Sequence, residues 1–179
     1  MDDDLRERMR RIEDRIEIGE LAHRYAVAVD DRDMATLADC YTRDAVFDSV
    51  GGRTVGRDAI IEYFAGRFRL MGPTRHLPVS SVLEFHGDDE ARGQVLAHAE
   101  LGMDGRTIFS ALRYDDHYRR EDGRWRFQER RLQQLYAMPL AELATGLAES
   151  RRKRWPGTEP TVDDIPEDLP TWQAFVGGA

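Results

Sequence analysis

The spacing of apolar residues changes once along this chain, at Pro73, and that change constrains the fold more than any other feature. Before it, Leu5, Met9, Ile12, Ile16, Leu21, Tyr25 and Val29 recur at helical intervals, which predicts one long amphipathic helix over Leu5–Val29. The run Asp30, Asp31, Arg32, Asp33 ends it, and Asp33 is suited to cap a second, short helix over Met34–Tyr41. A short strand over Asp44–Asp48 follows, stopped by Gly51 and Gly52. After Gly56, Ile60, Ile61, Phe64 and Phe68 mark a third helix over Arg57–Leu70, with Asp58 near its start. From Pro73 to Tyr136 the pattern is that of strands, punctuated by His86–Asp89, Asp104–Gly105 and Glu121–Gly123. Helices followed by a meander give an α+β fold, with the helices on one face of a curved antiparallel sheet of about six strands.

With 179 residues, the chain suits one domain, expected over residues 1–148. A last short helical pattern runs over Leu140–Leu147. Residues 149–179 read as a proline-rich, acidic extension without regular structure, whose Trp155, Trp172 and Phe175 lie down on the domain or on a neighbouring subunit. The cluster Arg151, Arg152, Lys153 and Arg154 beside it reads as a solvated basic patch. A net charge of −8 speaks against a nucleic-acid partner. No apolar run approaches the roughly 20 residues needed to cross a membrane, and the charged segment Met1–Arg11 is unlike a signal peptide, so a cytoplasmic location is expected. Cys40, the single cysteine, excludes an intrachain disulfide and a thiolate metal cage; its helical setting suits a buried structural thiol.

The sequence has no phosphate-binding glycine loop, no dinucleotide fingerprint and no nucleophile elbow. The histidines, at 23, 76, 86, 98 and 117, are scattered, so neither a metal nor a cofactor is expected. What remains is acid–base chemistry. Asp30 ends the first helix directly after apolar Val27–Val29, and His76 enters the strand region between apolar positions. A carboxylate bonded to one imidazole nitrogen fixes the tautomer and makes the other nitrogen a base near neutral pH. Each residue also has a plain reading, Asp30 as a helix-end carboxylate and His76 as a satisfied core histidine, and Asp31 replaces Asp30 if the helix runs one residue longer.

The order of the long helix, Tyr25 and Asp30 five residues apart, the Asp33 cap, Asp44–Phe47, Gly56 and the third helix resembles the SnoaL-like branch of the nuclear transport factor 2-like superfamily. That branch includes scytalone dehydratase, bile-acid 7α-dehydratase and hexachlorocyclohexane dehydrochlorinase. The segment Asp116–Phe127, followed by Arg130, strengthens the likeness, which covers roughly Ile12–Leu140. It implies a cone-shaped barrel, its sheet wrapped around three N-terminal helices with an internal pocket. It further implies Asp30 and His76 as the catalytic pair and Tyr25 as a phenol assisting a leaving oxygen. The dehydrochlorinase carries lysine where this chain has Tyr25, a departure that sets halide elimination aside. Arg130 matches an arginine of the dehydrochlorinase, and His98 is the nearest match to a second histidine of scytalone dehydratase; both are candidate substrate-binding residues. Of Arg130 and its neighbour Arg131, at most one enters the pocket if the strand is regular. The implied function is a cofactor-independent lyase or isomerase (dehydratase, double-bond isomerase or polyketide cyclase) acting on a small hydrophobic or polycyclic molecule. The alternative is a non-catalytic binding or structural subunit of the same fold. A homodimer or homotrimer through the exposed sheet face is expected.

Overall fold

Local chemistry sets the first elements. In the computed structural model, which describes residues 2–162 and 165–178, the Asp2 carboxylate accepts the Asp4 N–H and opens α1 (Asp3–Asp31). Arg32 ends it in the left-handed region at φ 59°. The Asp33 carboxylate accepts from the Thr36 N–H at 3.0 Å and from its hydroxyl at 2.6 Å, capping α2 (Met34–Asp39) as the sequence suggests. Then follow β1 (Tyr41–Ser49), β2 (Gly52–Val55), α3 (Arg57–Phe68), β3 (Thr74–Phe85), β4 (Glu90–Met103), β5 (Arg106–Glu121) and β6 (Arg124–Pro139). The Asp-Gly pairs 104–105 and 122–123 all have positive φ, so each makes the two-residue hairpin whose twist matches its strands.

The sheet order is β2-β1-β6-β5-β4-β3. This corrects the expected architecture in two respects. The sheet is not closed into a barrel, because β2 and β3 are free edges that do not pair. It is also mixed, because β1 runs parallel to β6 while every other pair is antiparallel. Four-residue β2 is too short to join twelve-residue β3. The helices occupy the concave side between the edges, α1 against β3 and β6, α3 against β1 and β2. Pro78 and a bulge between Pro78 and Ser80 further disfavour pairing along β3. Bulges in the β5–β6 ladder bend the long strands over the helices.

Ile18, Leu21, Tyr25, Ala28 and Val29 of α1 bury against the inner sheet face, while Leu5, Met9, Ile12 and Ile16 fall on the opposite side of the helix, because the five-residue step from Ile16 to Leu21 breaks the stripe, and stay exposed. One polar anchor fixes α1 within the core. Buried Asp14 accepts from Trp125 Nε1 at 3.0 Å and from Arg120 at 2.5 Å. On β4 the inner face is mostly alanine (Ala91, Ala97, Ala99), which leaves space beside the helices. Buried Cys40 has its thiol pushed up to about 11, chiefly by burial, as suits a structural role.

Two expectations for the C-terminal extension fail. Arg152 and Arg154 are buried, not solvated: Arg152 donates to Leu135 O at 3.0 Å, and Arg154 caps the carbonyls of Gln134 and Leu135. Leu135 is the extra residue of a bulge, so its carbonyl is free of the ladder and needs donors from elsewhere. Regular structure also returns in the extension, as α4 (Pro170–Gly177), which carries Trp172 and Phe175 exposed, whereas the short helical pattern expected over Leu140–Leu147 is present as a 3-10 helix (Leu140–Thr145). Among the described residues, no helix is long and apolar enough to cross a membrane.

Candidate active site

The end of α1 and the start of β3 meet at one carboxylate. Asp30 Oδ1 lies 2.6 Å from His76 Nδ1 and accepts the Thr74 hydroxyl at 2.8 Å, while Oδ2 accepts the His76 backbone N–H at 2.7 Å. Thr74 and His76 alternate onto one face of β3, so a strand register alone delivers both to Asp30. Arg32 locks the arrangement. Its guanidinium donates to Thr74 Oγ1 at 2.8 Å, to Val29 O at 2.6 Å and to Gly72 O at 2.7 Å, and stacks 4.3 Å from the Phe68 ring centre. The left-handed turn at Arg32 thereby ties the helix end to the edge strand. Burial pushes the Asp30 carboxyl up, but the hydrogen bonds from the His76 ring and backbone and from Thr74 outweigh it and hold it below the usual carboxylate range. With Asp30 ionised, His76 keeps its proton on Nδ1, and Nε2 is the free lone pair. Asp31, one residue on, is exposed and takes no part.

His76 forms part of the wall of a pocket of about 80 Å³ that lies between the helices and the sheet. The wall is mostly apolar: Val29, Phe64, Leu101, Leu112 and Trp155 contribute to it. Trp155 comes from the C-terminal extension and stacks with Arg67 at 4.5 Å, so the tail completes the site.

Tyr25 also lines the pocket, edge to face with Tyr114 on β5, whose ring centre lies 6.1 Å away. Burial raises both phenols, so both stay protonated as donors. Arg130, expected at the substrate, is instead locked in the core. Its Nε and Nη2 each lie 2.9 Å from Asp116, and its guanidinium stacks on Tyr25, Tyr114 and Phe127 at 4.4, 3.8 and 3.9 Å. Burial disfavours the Arg130 charge, yet Asp116 overrides this and raises its pKa well above the ordinary value. Arg130 therefore reaches the pocket only through the two tyrosine rings; Arg131 points to the other face and is exposed. His98 also lies on the other face. Ala97 and Ala99 are the inward residues, and His98 stacks on Phe109 at 5.4 Å outside. Among the described residues, no three His, Cys, Asp or Glu side chains gather into a metal-binding group.

Sequence reasoning missed Thr74, Arg32 and Tyr114, and it laid Trp155 on the domain or a neighbouring subunit without giving it a place in the site. Alternation from His76 could have found Thr74; the other three depend on contacts between distant segments.

A model of the SnoaL-like domain matches residues 10–131. None of the curated proteins matches the sequence. Among solved structures, the hexachlorocyclohexane dehydrochlorinase LinA is 25% identical, with 75% of this chain and 94% of that chain covered and a TM-score of 0.71. A candidate aromatic ring hydroxylase from Novosphingobium aromaticivorans is 31% identical over 68% of this chain and 88% of its own, with a TM-score of 0.64. A candidate scytalone dehydratase from the same organism, 18% identical over 83% of this chain and 97% of its own, shares the fold at a TM-score of 0.68. With more than half of its length matched, the chain belongs to the SnoaL-like domain family.

Proposed function

We propose that this protein is a cofactor-independent lyase or isomerase that removes a proton from carbon in a small, largely hydrophobic cyclic substrate. The observation that carries the reading is the 2.6 Å contact between Asp30 and His76 Nδ1 at the wall of an apolar pocket. His76 Nε2 takes the proton from a carbon made acidic by a neighbouring carbonyl or ring. Asp30 stabilises the imidazolium, and the Tyr25–Tyr114 pair donates to the departing or enolising oxygen. A positioned general base contributes on the order of 10²–10⁴-fold, and exclusion of water strengthens each of these charge interactions. The similarity to a dehydrochlorinase supports elimination as a reaction type, although a tyrosine at position 25 favours an oxygen over a halide as the leaving group.

The test is solvent-deuterium exchange. Ring ketones incubated in D₂O should gain deuterium at the α-carbon faster with the protein than in buffer, and the gain should vanish with His76→Ala. Equal rates for both proteins would favour the alternative, a binding or structural module of the same fold.

The assembly we propose is a homodimer or homotrimer through the outer sheet face, where Leu77, Val79, Val82 and Leu96 are exposed. Sedimentation equilibrium should show it at micromolar concentration, with Val82→Lys shifting it towards monomer; a monomeric parent protein would refute it.

A further inference from the structure

Two side chains in the pocket wall carry hydrogen-bonding capacity that the protein leaves unmet. Ser110 is fully buried, and its Oγ has no hydrogen-bond partner among the described residues. Gln134, 4% exposed, leaves Oε1 in the same condition. Both line the cavity that holds His76. Buried polar groups in native proteins are almost always satisfied, so two orphans on side chains that line one cavity point to a ligand that satisfies them.

The strand register places them relative to the base. His76 pairs with Ala99 and Ala99 with Ser110, so the three residues form one cross-strand row on the cavity face. Gln134 stands in the next row, opposite Leu112, two residues from Ser110. Two strand spacings of about 4.8 Å separate His76 from Ser110, about 10 Å in all. Ala99 between them offers only a methyl group. The floor of the site thus has a base at one end, a polar pair at the other and an apolar stretch the width of a ring between.

We propose that Ser110 and Gln134 form a subsite for one neutral hydroxyl of the substrate, across the ring from the carbon that His76 deprotonates. The position of the reacting carbon rests on the proton-transfer reading above; the recognition of the hydroxyl does not. A hydroxyl both donates and accepts, so it gives its proton to Gln134 Oε1 and accepts that of Ser110 Oγ. With the Gln134 amide turned over it exchanges roles and still satisfies both groups. A carboxylate only accepts and would face Oε1 with negative charge. An ether cannot donate.

The probes are 4-hydroxyacetophenone, 4-methoxyacetophenone and acetophenone, with binding read by calorimetry. The parent protein should bind the hydroxylated ketone about tenfold more tightly than acetophenone, the scale of one neutral hydrogen bond, and the methoxy compound no better than acetophenone. Gln134→Met and Ser110→Ala should each bring the hydroxyl preference below about threefold while leaving acetophenone binding in place. Gln134→Met should also melt no lower than the parent, since it removes a buried polar group that no protein partner satisfies. His76→Ala should keep the preference, which separates this subsite from the proton-transfer reading: failure of that reading abolishes the exchange difference and leaves the binding difference intact. Absence of a hydroxyl preference in the parent, or its survival in both Gln134→Met and Ser110→Ala, overturns the proposal.

Discussion

The molecule contains two carboxylate–base pairs of opposite design, one buried and one half-buried. Asp116 and Arg130 form a bidentate pair whose side chains are 0% and 1% exposed, stacked among three aromatic rings. Asp30 and His76 are joined by one short contact at a pocket wall, and their side chains are 19% and 16% exposed. Arginine does not lose its proton under these conditions, so the first pair is a fixed dipole beneath Tyr25 and Tyr114. Histidine exchanges a proton near neutral pH, and the second pair leaves one imidazole nitrogen open to a ligand. The difference lies in access and in the base chosen, since both carboxylates are held by hydrogen bonds within one domain.

The largest expected effect separates the pairs by function. His76→Ala and Asp30→Asn should each abolish turnover, a loss on the order of 10²–10⁴-fold or more, while melting stays near that of the parent protein. Asp30→Asn keeps the shape but removes the charge that stabilises imidazolium and fixes the tautomer. An active, folded His76→Ala protein would sink the proton-transfer mechanism.

The next effect falls on stability. Asp116→Ala strands the Arg130 charge in the core, where breaking a buried pair costs about 3–5 kcal/mol. Tyr118 also loses the acceptor of its 2.8 Å hydrogen bond. Urea denaturation should show this loss, whereas a change below about 1 kcal/mol would mean that the pair behaves as a surface ion pair does. Double replacement of Asp116 and Arg130 by apolar residues of similar volume should recover much of the loss, because neither charge is then left alone.

A smaller effect tests the link between the pairs. Tyr25→Phe should lower turnover only in part, less than the roughly 10²–10³-fold that loss of a sole oxyanion donor costs, because Tyr114 retains a hydroxyl beside the same pocket. Tyr25→Phe with Tyr114→Phe should lose more than the sum of the two single changes. Additive losses would show that the phenols act separately.

These contrasts also mark what the sequence disclosed. Asp30 was legible as the end of α1, because helix periodicity and the Asp33 cap are local properties, but its pairing with His76 came only from the resemblance to the SnoaL-like branch. The Asp-Gly hairpins were legible because positive φ demands those residues. The parallel pairing of β1 with β6, and with it the open sheet, was not legible, since that register joins segments about 85 residues apart through contacts no local pattern encodes. His98 failed for a narrower reason: a strand reverses its faces with every residue, and a family likeness uncertain by one position cannot choose between His98 and Ala99. Arg130 was recognised as an inward residue, but its partner Asp116, fourteen positions earlier, was visible only once β5 and β6 were paired. The buried Arg152 and Arg154 depend on a bulge carbonyl that charge patterning does not reveal.

The smallest expected effect concerns acid stability. The Asp30 carboxyl sits below its ordinary range because the donors from His76 and Thr74 outweigh its burial. A carboxyl with a lower pKa folded than unfolded stabilises the fold fully above the unfolded value, about 3.9, and that contribution is lost as pH falls through the folded value. The parent protein should therefore lose more stability between pH 5 and the folded pKa than Asp30→Asn, which has no proton to gain at that position. The difference is modest because Asp14, held low by Trp125 and Arg120, and Asp39 and Asp44, held low by their arginine partners, titrate in both proteins. Their shared contribution cancels when the two pH profiles of melting temperature are subtracted, leaving that of Asp30. A difference profile that stays flat from pH 5 to pH 2 would mean that the hydrogen bonds to Asp30 do not favour its charged form, and the assignment of Nδ1–H to His76 would lose its support.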